Sequence, residues 1–257
     1  MTPADPEALP VAADTDHGFD GEMFQRFLSF DIGDGPPIYW HSLGKLYRQP
    51  KGEIIAGVEA LVSNRRVAHG GTTAVAVCPT ILLYRDPETG AVLEDEEGKH
   101  VLREYPYIVA RFELQERRMV IDTEGLSGPH QGGRFGLARV SNDKVFAHHV
   151  DESSFFSWTL FGQVDTPMGQ VWFIESYNAS TPPDVMVMNR FGTLPAFAGA
   201  GDGLLQTVAR RYDDYGALPA GIRAYVEENA PEHVKPPRDL DEVAEIRARY
   251  LDTDPPA

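Results

Sequence analysis

Two short stretches carry side chains whose types and spacing suit proton chemistry. In Gln170–Asn178, residues two apart share one face of a strand, so Val171, Phe173, Glu175 and Tyr177 fall in line. That face is apolar at one end and carboxylate–phenol at the other. Desolvation raises a carboxyl pKa toward the range where general acid–base catalysis works near neutral pH. The plainer alternative is a solvated glutamate near a strand end. Tyr39 and His41 also share a face, followed by Leu43 and Lys45. Histidine titrates near neutrality and tyrosine can donate to a developing oxyanion. An aromatic strand face with a surface histidine fits the same residues. Arg111 and Glu113 pair beside Tyr107; Arg111 could anchor a carboxylate or carbonyl, although a surface ion pair has the same spacing. Trp40 and Phe173 are the aromatic neighbours expected to wall an apolar or aromatic substrate.

Other chemistries find less support. His148 and His149 are adjacent, and neighbours on a strand point to opposite faces, so they are badly placed to share one ion; His130 and Glu152 could contribute from afar, but nothing in the sequence fixes them in place. No metal and no cofactor is expected. Gly70-Gly71, Gly132-Gly133 and Gly199-Ala200-Gly201 lack the strand-to-helix context of a phosphate loop. Ser153, Ser154 and Ser157 lack the turn that exposes a nucleophilic serine. Cys78, the single cysteine, reads as a small buried hydrophobe.

The elements that must position these groups are mainly strands. Runs at Ile38–Tyr47, Glu53–Val67, Thr72–Tyr84, Tyr105–Leu114, Arg118–Glu124, Phe135–Val140, Val145–Val150, Phe155–Val164, Gln170–Asn178 and Asp184–Phe191 alternate with turn residues. The clearest turn is Arg85-Asp86-Pro87-Glu88-Thr89-Gly90: proline presets φ, Asp86 can accept from the backbone ahead of it, and Gly90 can take positive φ. Ser141–Lys144 and Asp165–Gly169 join the later pairs. About ten strands without interleaved helices argue an antiparallel β-barrel, with a sandwich as alternative. After Gly203 the spacing of Leu204, Val208, Tyr212 and Tyr215, then Ile222, Tyr225 and Val226, is helical. Asp239 and Glu242 mark a further helix start. The expected organisation is an acidic disordered tail over 1–20, an antiparallel β domain over 21–200 and C-terminal helices over 201–257 packed on it.

The chain of 257 residues has a formal charge of −16. That charge repels phosphate backbones and anionic lipid, so neither nucleic acid nor membrane is an expected partner. No basic, unbroken apolar leader opens the sequence, and one cysteine suits a reducing compartment; a cytoplasmic location is expected.

Trp40-His41-Ser42-Leu43-Gly44-Lys45-Leu46-Tyr47, the hairpin Leu83–Glu94, Met186-Val187-Met188-Asn189-Arg190, Leu218-Pro219 and Ala230–Pro237 together resemble the bacterial and fungal family catalogued as domain of unknown function eighteen thirty-eight. Where that family has Trp-x-Asn-Pro after the hairpin, this chain has Asp95–His100, and an Asn-Asp-Pro motif is missing. The resemblance implies no residue role, because the family carries no established chemistry.

The residues lead to a cofactor-independent enzyme that isomerises, cyclises, or adds or removes a small group by general acid–base catalysis. Its substrate would be a small apolar or aromatic metabolite inside the barrel. Glu175, Tyr177, His41 and Tyr39 would handle protons, Arg111 would anchor the substrate, and Trp40 and Phe173 would enclose it. A non-catalytic hydrophobic-ligand carrier and a structural, homo-oligomer-forming module are the alternatives.

Overall fold

The computed structural model describes residues 19–127, 136–142, 145–166 and 169–251. Thirteen strands form one antiparallel sheet: β1 (Ile38–Arg48), β2 (Glu53–His69), β3 (Thr73–Val77), β4 (Thr80–Arg85), β5 (Leu102–Tyr105), β6 (Tyr107–Gln115), β7 (Arg118–Ser127), β8 (Gly136–Asn142), β9 (Val145–Val150), β10 (Ser153–Thr166), β11 (Gly169–Thr181), β12 (Val185–Thr193) and β13 (Asp202–Tyr212). The order β8-β7-β6-β3-β2-β1-β13-β12-β11-β10-β9 curls until β8 approaches β10, a nearly closed barrel. The barrel rather than the sandwich is therefore realised. Near-closure hides most of the edge N–H and C=O groups that an open sheet would present.

The run expected as one strand over Thr72–Tyr84 is two, β3 and β4, both pairing with the long β2 and separated at Cys78-Pro79. Pro106 likewise parts β5 from β6. Proline has no N–H to give a central ladder, so pairing stops there and restarts. The turn after β4 forms as its residues dictate. Asp86 Oδ1 accepts from the backbone of Glu88 and Thr89 at 3.0 and 2.7 Å, and Gly90 has φ 75°.

Two segments differ from expectation. Residues 21–32, expected within the β domain, form helix α1 (Gly21–Ile32), capped by Asp20, whose carboxylate accepts from Met23 N at 2.8 Å. Phe24, Phe27, Leu28, Phe30 and Ile32 are all buried, so the helix fills one half of the barrel against Phe112, Phe156 and Trp158. Each such side chain stabilises by about 1.5–3 kcal/mol. Phe19, expected in the tail, also belongs to this cluster and stacks on Phe156. The rest of the expected tail, 1–18, lies outside the described residues, as do the turn positions 143–144 and 167–168, His130 and Gly132-Gly133. The second correction is β13. Its 3.6-like spacing of Leu204, Val208 and Tyr212 is overruled by alternating burial, with Gly203, Leu205, Thr207 and Ala209 turned inward. The edges of β12 and β1 both need a partner, and the ladder they offer outweighs local helical preference.

The C-terminal helices pack outside. α2 (Ala220–Asn229) places Ile222 and Val226 on the outer residues Tyr39, Leu61, Ile81 and Leu83. α3 (Leu240–Leu251) places Val243 near Val77, Tyr107, Val109 and Leu126. Asp239 caps α3 by accepting from Glu242 N at 3.0 Å. Among the described residues no helix is long and apolar enough to cross a membrane.

Candidate active site

The inward row of β11 is Phe173, Glu175, Tyr177 and Ala179, the face singled out in the sequence. Glu175 stands directly opposite Arg190 of β12. Tyr177 Oη donates to Glu175 Oε2 at 2.7 Å, and Arg190 Nη1 donates to Oε1 at 3.3 Å. Both members of the ion pair are largely buried. The Arg190 guanidinium also lies 4.1 Å over the Phe173 ring, and Trp158, opposite Tyr177 in β10, stacks on its ring at 4.8 Å. Alternation along β11 thus delivers a carboxylate with both oxygens engaged and a phenol fixed between an indole and that carboxylate.

Strand β5 adds the remaining charge. Arg103 and Tyr105 alternate inward beside Tyr84 of β4, and Arg103 is buried with no partner for Nε among the described residues. Burial opposes the Arg103 charge, but Tyr84, Tyr105 and Glu175 outweigh it and keep the guanidinium protonated. Burial pushes the Tyr105 phenol up, yet Arg103 and Arg190 overcome this and hold it below the ordinary value of 10.0. Tyr177 is displaced the other way: burial, then the Glu175 charge and its hydrogen bond, raise it well above 10.0. Two phenols driven apart by their surroundings is the pattern expected of an acid–base pair. The cluster borders a small recess, open to solvent, with Leu46 and Leu205 as apolar walls and Arg103, Arg190 and Tyr84 as its polar ones.

Asp31, at the end of α1, approaches from the other half of the barrel. The residue keeps some accessible surface, but its carboxyl is enclosed, and that burial raises its pKa from 3.8 to about 7 against the opposing pull of Arg211. Its charge acts on Cys78 and Tyr177, and the buried Cys78 thiol is pushed well up by burial and by Asp31.

Other expected site residues lie elsewhere. Tyr39 and His41 share a face, but it is the outer one. His41 Nε2 is 2.7 Å from Glu59 Oε1, Glu59 is bound by Arg85 through Nε at 2.8 Å, and Tyr39 donates to Val234 O at 3.1 Å. They tie the strands to the C-terminal segment and are separated from Glu175 by the wall of the barrel. Arg111 is exposed on the outer face of β6, opposite Asp122 of β7. Alternation obliges this: once Ala110 and Phe112 turn into the core, Arg111 must turn out. Trp40 is inside, but in the α1 half. It packs on Phe30 at 4.9 Å and donates Nε1 to Asp31 O at 3.2 Å. Of the expected set, Glu175, Tyr177 and Phe173 come together.

Arg103, Tyr105, Arg190 and Asp31 are not singled out by sequence pattern. Arg103 and Tyr105 are two apart, a visible same-face pair, but the extended run legible in the sequence starts only at Tyr105. Asp31 falls in a segment expected only as part of the β domain, so its helical reach into the barrel is not visible there. His148 and His149 face Phe155 and Ser154 across β10, and His149 Nδ1 is 3.2 Å from Ser154 Oγ. Among the described residues one other trio, Glu104, Glu232 and His233, brings ligand-type atoms within 4.8 Å of one another, with His233 Nε2 3.1 Å from Glu104. Comparison of the chain with protein-family models, curated proteins and solved structures returns no match.

Proposed function

We propose that the barrel is a cofactor-independent acid–base enzyme for a small, mainly apolar or aromatic metabolite that carries a carboxylate or an enolisable carbonyl. One observation supports this reading above the others. At this end of the barrel two guanidiniums, Arg103 and Arg190, and one carboxylate, Glu175, meet three phenols, which leaves one positive charge in excess while the phenols hold their protons and Arg103 Nε unbonded among the described residues. Leaving a buried charge uncompensated costs several kcal/mol, so an anionic ligand is the natural complement. Arginine offers such a ligand a planar fork of donors.

In this reading Arg103 and Arg190 hold the ligand oxygen, and Tyr105, whose acidity those two guanidiniums increase, is the base that takes a proton from the adjacent carbon. The electron pair of that C–H bond moves onto the carbonyl oxygen, where the guanidiniums stabilise the resulting enolate. Return of the proton to a different carbon isomerises the substrate; loss of a β-substituent completes a lyase step. Tyr177 and Arg190 fix Glu175, whose charge orients Arg190. The outer-face pair Tyr39 and His41 has no part in this chemistry.

The test uses small aromatic and aliphatic 2-oxo acids, with their amides as uncharged controls, incubated with the protein in D2O. Proton NMR should show enzyme-dependent deuterium entry at the carbon beside the carbonyl for the acids only. Arg103→Met should abolish binding of the acids, and Tyr105→Phe should abolish exchange while leaving binding. Binding without exchange in the wild-type chain would make this a carrier. Equal binding of acids and amides would end the anion reading.

A further inference from the structure

The outer face of the barrel is divided. The C-terminal segment covers β2, β4, β3 and β6, whereas β9 through β13 and the following part of β1 have nothing on them among the described residues. Of the twelve exposed large hydrophobic side chains among the described residues, nine stand on this uncovered face. They are arranged in rows across the strands. Phe161, Ile174 and Phe191 are directly opposite one another on β10, β11 and β12, with Trp172 packed edge-on to Phe191 at 5.5 Å. Val187, Val208 and Leu43 form a second row on β12, β13 and β1, and Phe146, Val150 and Phe155 extend the face over β9 and β10. Exposure of these side chains reaches 60% at Phe161 and 63% at Phe146.

The residues between the apolar rows are uncharged across four strands. Thr159, Ser176, Asn189 and Gln206 follow one another in register, with Gln206 bonded to Asn189 at 3.0 Å. No carboxylate occupies these rows, although the chain has 39 Asp and Glu and a net charge of −16. Lys45 and Arg210, at the β13–β1 side, are basic, and Asp202 at the start of β13 lies at the margin of the face, one register step beyond Phe191 and Leu204. Depletion of charge with enrichment of aromatics marks the core of an interface.

We infer that this face docks against the same face of a second copy of the chain. The nine side chains expose about 700–800 Å² at roughly 150–200 Å² for a full side chain, which matches one partner's share of a standard interface and exceeds the usual largest patch on a monomer. A chain this acidic repels its own copies everywhere else, so a face whose rows carry no carboxylate, with Asp202 only at its margin, is where two copies approach at least cost. Its charge equally opposes anionic lipid. Two aligned sheets meeting face to face across a two-fold axis would interdigitate the two sets of rows as in a sandwich.

Sedimentation equilibrium on the full chain at micromolar concentration should give twice 28.4 kDa. Phe161→Glu and, separately, Val208→Glu should each return the mass to 28.4 kDa with the far-ultraviolet dichroism unchanged, while Leu240→Glu on α3, exposed but off the face, should leave the dimer intact. A wild-type monomer at about 100 μM would overturn the inference, whatever the variants do. So would a dimer that survives both substitutions. Co-sedimentation of the wild-type chain with phosphatidylcholine vesicles, lost in Phe161→Glu, would assign the face to lipid instead and equally overturn it.

Discussion

Replacing Asp31 by asparagine should remove most of a pH dependence from the stability of the fold. The carboxyl is enclosed at the end of α1, and burial raises its pKa from 3.8 to about 7, with Arg211 pulling in the opposite direction. A carboxyl whose folded pKa is raised contributes stability that is full below its unfolded value and is lost as pH rises to the folded one. Between pH 3.8 and pH 7 the unfolded chain has released this proton and the folded chain still holds it, so stability falls with pH. At about 1.4 kcal/mol per unit, the loss between pH 5 and pH 8.5 is about 3 kcal/mol. The asparagine amide has no proton to release. The stability difference between variant and wild type should therefore move by about 3 kcal/mol in favour of the variant over that interval, whatever the substitution itself costs. For a domain of this size that is roughly 6–12 °C in Tm. Urea unfolding of both proteins at pH 5 and pH 8.5 measures it, and the titration of every other group cancels in the comparison. Parallel pH curves for the two proteins would refute the raised pKa and with it the enclosure of Asp31.

Other outcomes follow from the same geometry. Solvent exchange into a bound 2-oxo acid should rise with pH to a plateau, with a midpoint below that of an ordinary tyrosine, and Tyr105→Phe should erase the rise; an NMR rate profile shows either. Glu175→Gln should keep the fold and acid binding while lowering turnover by about 10²–10⁴, and a comparable fall in Tm without a selective loss of turnover would make Glu175 a structural partner of Arg190. His41→Ala should lower stability by about 1–3 kcal/mol through its lost bond to buried Glu59 and leave exchange unchanged. Gly44→Ala should destabilise severely, by about 3 kcal/mol or more, because a Cβ there would lie 1.9 Å from Gln206 O of β13; chemical denaturation reads this directly.

Much of the architecture is legible in the chain itself. Turn residues at intervals of about ten mark the strands, and Asp86 with Gly90 specifies their hairpin through local bonds alone. The pairing of Glu175 with Tyr177 on one face follows from strand periodicity, and so does that of Tyr39 with His41. Which of those faces turns inward does not, because both faces of β11 and β1 carry apolar side chains; near-closure of the sheet settles it, taking Glu175 in and leaving His41 outside. Helix α1 is hidden because its apolar residues read equally well as a buried strand, and only the space inside the barrel gives five of them a place to go. At β13 the sequence spacing favours a helix, and the open edges of β12 and β1 impose a strand. Arg103 and Tyr105, Arg190, and Asp31 come from three separate elements. Their convergence depends on the register between strands and on where α1 enters, and neither is encoded locally in any one of those segments.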